Sequence, residues 1–287
     1  MVLISKKILE GNINMDYYFI CDEFFREYKE TKDIEKSINN YLNNNYSLLE
    51  KIYFLPKKVQ TSKILSIVKN EEYKNMILKM TSNLKDINLN TLFIDIVHEL
   101  ENELDYKNIN KKVYVILGFN DTTIYSTKYQ NEDVTVILLE STLGMIDNIK
   151  MLLAHEYTHW IREKEIKHDI FEKCIGERFV TEGIACNFSE QIVPSREESY
   201  YTIVPNTTVE WVKNNIQDID KIVKTELDKN DMMYDFFYMF AITKNKMPVR
   251  TGYVYGYLKV KEYMEHNNVK IKDVVKMDWK DIFKRLI

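Results

Sequence analysis

Apolar residues recur at helical spacing through the first hundred positions, with Tyr73, Met76, Ile77 and Met80 forming one stripe and Leu92, Ile96 and Leu100 another. Charged and polar residues fill the positions between them from about Tyr17 to Leu104, which predicts a helical N-terminal half. Pro56, the run Asn43 to Asn45 and the stretch Asn88 to Asn90 are the expected breaks between its helices. The period changes near residue 112. Val113-Tyr114-Val115-Ile116-Leu117 and Val134-Thr135-Val136-Ile137-Leu138-Leu139 are short, β-branched apolar runs. Gly118, Asn120 and Asp121 bound the first and residues 131–133 precede the second, so both are expected to be strands of a small sheet.

Helical spacing then returns. From Met145 or Ile146 to Glu165, the residues Ile149, Leu153, Tyr157 and Trp160 form an apolar stripe, and His155 and His159 share the adjacent face with Leu152. After a reversal expected at Lys167-His168-Asp169, a second helix should run from about Ile170 to Gln191 and stop before Pro194. Beyond Pro194 and Pro205 the chain is expected to be helical to its end. The pattern predicts an α+β fold, mainly α: a small sheet, then two consecutive helices, packed with N- and C-terminal helical segments. Residues 1–110 are expected to form a helical region and 111–287 the region that carries the chemistry.

Composition adds exclusions. Seven glycines and four prolines in 287 residues favour long helices over tight turns, and 45% apolar content suffices for a core. A net charge of −4 with evenly spread basic residues gives no footprint for a nucleic acid partner. Residues 1–14 lack the apolar segment of a signal peptide, and no run of about 18 apolar residues occurs, so neither membrane insertion nor export is expected and the cytoplasm is the predicted compartment. Three cysteines, Cys21, Cys174 and Cys186, are an odd number at spacings that fit neither a disulfide framework nor a metal knuckle, and they read as buried thiols. Oligomeric state is not legible.

The chemistry lies in His155-Glu156-Tyr157-Thr158-His159. Histidines four apart on a helix lie about one turn from each other on one face, where both imidazoles can reach a single zinc ion. The glutamate beside the first is placed to take a proton from water whose pKa the metal lowers. His98-Glu99 starts the same way but has Asn102 where the second histidine would stand, and is read as a charged helix face. A catalytic zinc normally takes a third protein ligand. Glu163 and Glu165 share the helix of the histidines and cannot fold back to the same ion, which leaves Asp169, Glu172, Glu177, Glu182 and Glu190.

Among these, Thr181-Glu182-Gly183-Ile184-Ala185 resembles the glutamate helix of the gluzincin metallopeptidases, with Glu182 lying 23 residues after His159 (182 − 159). Together with the run from His155 to Arg162 it is most similar to a bacterial branch of predicted zinc-dependent peptidases. The resemblance covers roughly residues 134 to 192, with a weaker echo near 250 to 263. It implies that His155, His159 and Glu182 hold one Zn2+ per chain, that Glu156 is the general base, and that the partner is a peptide or protein substrate. Glu177, at 18 residues (177 − 159), stays a rival ligand but lacks the Gly-x-Ala sequel. In that branch a Gly-Tyr-x-x-Gly segment opens a C-terminal helix near the active site, which makes Tyr253 the first candidate for the oxyanion donor and Tyr255 the second, with His168 and His266 as others.

Asp147, Asn148, Asn187 and Ser189 are candidates to orient the histidines, and Arg162 to pair with Glu177. The aminopeptidases of the group anchor the substrate amine with a Gly-x-Met-Glu-Asn strand that does not occur here. Glu140, expected in a loop, is the one nearby substitute. Endopeptidase action is therefore favoured over aminopeptidase action. A non-catalytic zinc-binding or helical interaction protein is the competing class.

Overall fold

Four short strands make up the sheet of this chain, β1 (Met15–Phe19), β2 (Lys111–Ile116), β3 (Ile124–Tyr129) and β4 (Glu132–Leu138), in the order β1-β2-β4-β3. The computed structural model describes residues 15–107, 109–121, 124–166, 174–229 and 247–283. Most of the rest of these residues is helical, so the fold is α+β and mainly α. The helices are α1 (Asp22–Thr31), α2 (Ile34–Leu49), α3 (Thr61–Val68), α4 (Glu71–Leu84), α5 (Leu89–Leu104), α6 (Ile146–Ile166), α7 (Ile175–Ile192), α8 (Glu198–Thr202), α9 (Asn206–Asn214), α10 (Ile216–Val223), α11 (Thr251–Asn267), α12 (Ile271–Val274) and α13 (Trp279–Phe283). None of the described helices is long and apolar enough to cross a membrane.

The chain divides into two units, one of residues 1–97 and 107–149 and the other of 98–106 and 150–287. The division cuts through α5 and the start of α6. The first unit holds the sheet. β1, β2 and β4 run parallel and β3 is antiparallel to β4. Two strands depart from expectation. Residues 15–19 lie in the segment read as helical, yet they form β1 because Met15 and Tyr17 alternate into the core beside β2. β3 carries the period-2 pattern of Ile124-Tyr125-Ser126-Thr127-Lys128-Tyr129 and joins β4 through a two-residue loop, Gln130 and Asn131, whose φ values of 53° and 64° suit a tight hairpin turn. With this hairpin in place β4 is hydrogen-bonded on both sides, by β2 and by β3. A substrate strand cannot add to it.

Residues 43–45, expected as a break, lie inside α2. Glu23 on α1 accepts hydrogen bonds from the Asn44 and Asn45 side-chain amides, and the Asn45 amide also donates to the Tyr41 carbonyl, so the polar run caps the neighbouring helix's carboxylate instead of ending its own. At Asn88 the break is real, and its side-chain oxygen Oδ1 caps α5 by accepting from the Thr91 N–H.

Glu140 lies in a buried 3₁₀ turn (Leu139–Thr142) at the end of β4. Its carboxylate accepts from the Gly118 N–H at 2.6 Å, the Phe119 N–H at 2.9 Å and the Tyr73 hydroxyl at 3.1 Å, which ties the β2 exit to α4. Burial still dominates and pushes the Glu140 carboxyl up from 4.5 to about 7. At Glu140 the native state thus binds more protons than the unfolded state between those values, so this group's contribution to stability is fullest below pH about 4.5, falls as pH rises to about 7, and levels off above. The loss is on the order of 3 kcal/mol. Stability of wild type relative to Glu140→Gln, followed by urea unfolding from pH 4.5 to 7.5, should drop by that order; parallel pH curves for the two proteins would contradict it.

In the second unit α7 is buried on nearly every side, and it crosses α11 with backbone against backbone. A Cβ on Gly183 would run into the Gly256 carbonyl, and one on Gly256 into the Phe179 carbonyl. The glycine after Glu182 therefore serves the approach of α11. Gly183→Ala is expected to cost about 1–3 kcal/mol through overpacking against backbone that cannot yield, read as a lower thermal midpoint; an unchanged midpoint would mean the crossing relaxes freely.

Candidate metal centre

The apolar stripe of α6 determines where the histidines point. Leu153, Tyr157 and Trp160 are buried, and the Tyr157 hydroxyl donates to the Tyr106 carbonyl at 3.0 Å, which fixes the rotation of the helix about its axis. His155 and His159 are thereby set on the adjacent face, their ring centroids 4.7 Å apart and their planes at 78°. The ligand atoms of His155, Glu156 and His159 all lie within 4.8 Å of one another.

Helix α7 brings Glu182 to the same point. Its Oε2 lies 3.3 Å from Nε2 of His155 and 3.5 Å from Nε2 of His159. Four ligands at roughly 2.0–2.1 Å around a tetrahedral zinc stand about 3.3–3.4 Å from each other, so this spacing suits one shared ion. Oε2 is buried and has no hydrogen-bond partner among the described residues. A buried carboxylate oxygen left in that condition is costly unless a cation completes it. The donor set, two imidazoles and one carboxylate, is one that zinc takes. Glu156 lies as close to the histidines as part of their own helix, but Glu182 is the carboxylate whose oxygen faces both nitrogens at ligand spacing.

Charge is arranged around this point. Burial would raise the Glu182 carboxyl, yet Arg178 and the two imidazoles hold it well below the usual range. The Arg178 Nη2 donates to its other oxygen, Oε1, at 2.8 Å. Burial pushes the Glu156 carboxyl up against the pull of both histidines. For His155, burial pulls the imidazole down, but the Cys186 thiol and the Glu182 carboxylate beside it outweigh that and push it up to about 10. Tyr253, in the first turn of α11, has its hydroxyl near Arg178 and Glu182; burial and the Glu182 charge raise it, and the two arginines Arg178 and Arg250 lower it. The Arg250 guanidinium stacks 4.2 Å from the Tyr253 ring centroid. Tyr253 comes to this place because the Gly183–Gly256 crossing lays the start of α11 over Glu182, which gives a physical reason for the weaker echo near residue 250.

The rival positions are spoken for elsewhere. The Glu177 Oε1 accepts from the Arg162 guanidinium at 2.6 Å and from the Thr181 hydroxyl at 2.9 Å. Arg162 is buried and also donates to the Val275 and Met277 carbonyls, so the expected Arg162–Glu177 pair is present and is an interior one. The Tyr255 hydroxyl donates to Asp220 at 2.7 Å and its ring packs on Phe179. His266 is exposed at the end of α11, and His168 lies outside the described residues, as do Asp169 and Glu172. Ser189 donates to the Met151 and Ala185 carbonyls, Asn187 to Gly183 and Tyr257, and Asn148 to Thr142. His98 pairs with Glu101, and Glu99 with Lys150, as a charged helix face should.

Two further residues stand at the centre, of which Arg178 is not singled out by the sequence motifs. Arg178 stands four residues before Glu182 and Cys186 four after it, so all three share one face of α7. The i, i+4 spacing is the signal for both, and Cys186 is the buried thiol that the sequence leads one to expect. Comparison with known proteins gives one finding: a family model described as "Predicted Zn-dependent protease (DUF2268)" matches residues 69–284. No curated protein and no solved structure gives a significant match.

Proposed function

Since the chain belongs to the family described as predicted Zn-dependent proteases (DUF2268), we propose that it is a zinc peptidase of the gluzincin type, with His155, His159 and Glu182 holding one ion. The observation that carries this reading is the buried Glu182 Oε2, which lacks a hydrogen-bond partner among the described residues and lies 3.3 and 3.5 Å from the two Nε2 atoms. Zinc bound there supplies Lewis acidity, polarising the scissile carbonyl and lowering the pKa of water. Glu156 takes the proton of the attacking water and delivers it to the leaving amine nitrogen, a task suited to a carboxyl raised by burial. Tyr253 donates a hydrogen bond from its hydroxyl to the carbonyl oxygen as negative charge develops there. The engagement of Glu177 with Arg162 supports Glu182 as the third ligand, and the engagement of Tyr255 with Asp220 supports Tyr253 as the donor.

Endopeptidase action is the favoured mode. The strand motif that anchors a substrate amine is missing, and the Glu140 carboxylate is committed to the backbone of its own unit. The test is metal analysis of protein purified without added zinc, together with hydrolysis of a mixed peptide library before and after chelation. About one zinc per chain, with cleavage that chelator abolishes and zinc restores, is the expected result. A chain with zinc and no cleavage would be a metal-binding interaction protein, and a chain without zinc would end both readings.

A further inference from the structure

We infer that Arg178 is a positioning residue that couples the third ligand to the tyrosine, its guanidinium holding Glu182 by Oε1 and Tyr253 by the hydroxyl oxygen. The inference rests on the zinc-peptidase reading above. Three observations lead to it. First, Glu182 is buried, with its two oxygens divided: Oε1 is held by Arg178 at 2.8 Å, and Oε2 faces the histidines. A carboxylate free to rotate could offer both oxygens or turn away. With one oxygen pinned, only the other is presented to the ion. Second, the interaction with Tyr253 has a defined polarity. Arginine carries donors and no acceptor, so it can bond only the lone pair of the hydroxyl, and the hydroxyl proton is directed to a different acceptor. That is the condition an oxyanion donor must meet. Third, Arg178 reaches both partners from one site on α7, being 26% exposed while Glu182 is 2% exposed. A planar fork holds two acceptors at fixed angles, which a lysine cannot do.

The test uses the full chain as wild type, Arg178→Gln, Arg178→Lys, Tyr253→Phe and the double variant Arg178→Gln/Tyr253→Phe. Zinc affinity is read by competition with a chromophoric chelator, and kcat and KM are read at saturating zinc on a peptide from the library screen. Arg178→Gln should bind zinc about 10- to 100-fold more weakly, and at saturating zinc should lose at least about tenfold in kcat with KM changing less than about threefold. Tyr253→Phe should then add less than about threefold to the kcat loss of Arg178→Gln, although it costs far more in the wild type. Arg178→Lys should fall between wild type and Arg178→Gln in both readouts, and it serves alone if the glutamine variant fails to fold. Wild-type zinc affinity in Arg178→Gln, wild-type behaviour of Arg178→Lys in both readouts, or a full Tyr253→Phe effect in the double variant would overturn the inference. The zinc arm needs no substrate, so a chain that hydrolyses nothing but loses affinity in Arg178→Gln overturns the peptidase reading and leaves the hold on Glu182 standing.

Discussion

Glu156→Gln is expected to keep about one zinc per chain and to lose peptide hydrolysis by roughly 10²- to 10⁴-fold. The amide has the shape of the carboxylate but cannot accept a proton at neutral pH, while the three groups that converge at ligand spacing, His155, His159 and Glu182, are untouched. KM should change little, because proton transfer matters in the transition state more than in binding. Zinc content by elemental analysis and kcat on the same peptide check it together. A variant as active as wild type would remove Glu156 from the role of base, and a variant without zinc would make Glu156 a ligand.

Arg162→Ala is expected to be the most damaging single change to stability. Its guanidinium is buried and bonds Glu177, Thr181 and the carbonyls of Val275 and Met277, so one side chain ties α6 to α7 and to the segment after α12. Removal leaves the Glu177 charge buried without a counter-ion, which costs about 3–5 kcal/mol, or a fall in thermal midpoint on the order of 10 °C for a chain of this size. Replacing both Arg162 and Glu177 by methionine should recover much of that loss, since the isolated charge is then gone. Glu177→Gln should keep its zinc, because that carboxylate faces Arg162 and Thr181. A midpoint for Arg162→Ala within about 2 °C of wild type would show that water reaches the site and that the pair is not an interior one.

Parts of this protein were legible from local pattern. The period of 3.6 placed α6 within a residue or two of its observed bounds and put Ile149, Leu153, Tyr157 and Trp160 inside. Strands β2 and β4 were legible because residues 113–116 and 134–138 are buried on both faces and rich in β-branched side chains. β3 and β1 were missed for the opposite reason: a strand with a mixed, half-exposed pattern is set by its partner, and the partner of β1 lies about a hundred residues away. The asparagines of α2 misled because their side chains find Glu23 on another helix, a contact that composition does not reveal.

By itself the sequence determined what depends on spacing along one helix: two imidazoles on one face with a carboxylate beside them, and on α7 a line of Arg178, Glu182 and Cys186 four residues apart. Only the tertiary structure decided which carboxylate meets those imidazoles. Glu177 and Glu182 both sit on α7, five positions apart, so they point in different directions from its axis, and the packing of α7 turns Glu177 to Arg162 and Glu182 to the histidines. The bare backbone contact of Gly183 with Gly256 then brings Tyr253 to the same point from a segment some seventy residues on. Such contacts are made between elements, and no residue's own neighbours in the chain encode them.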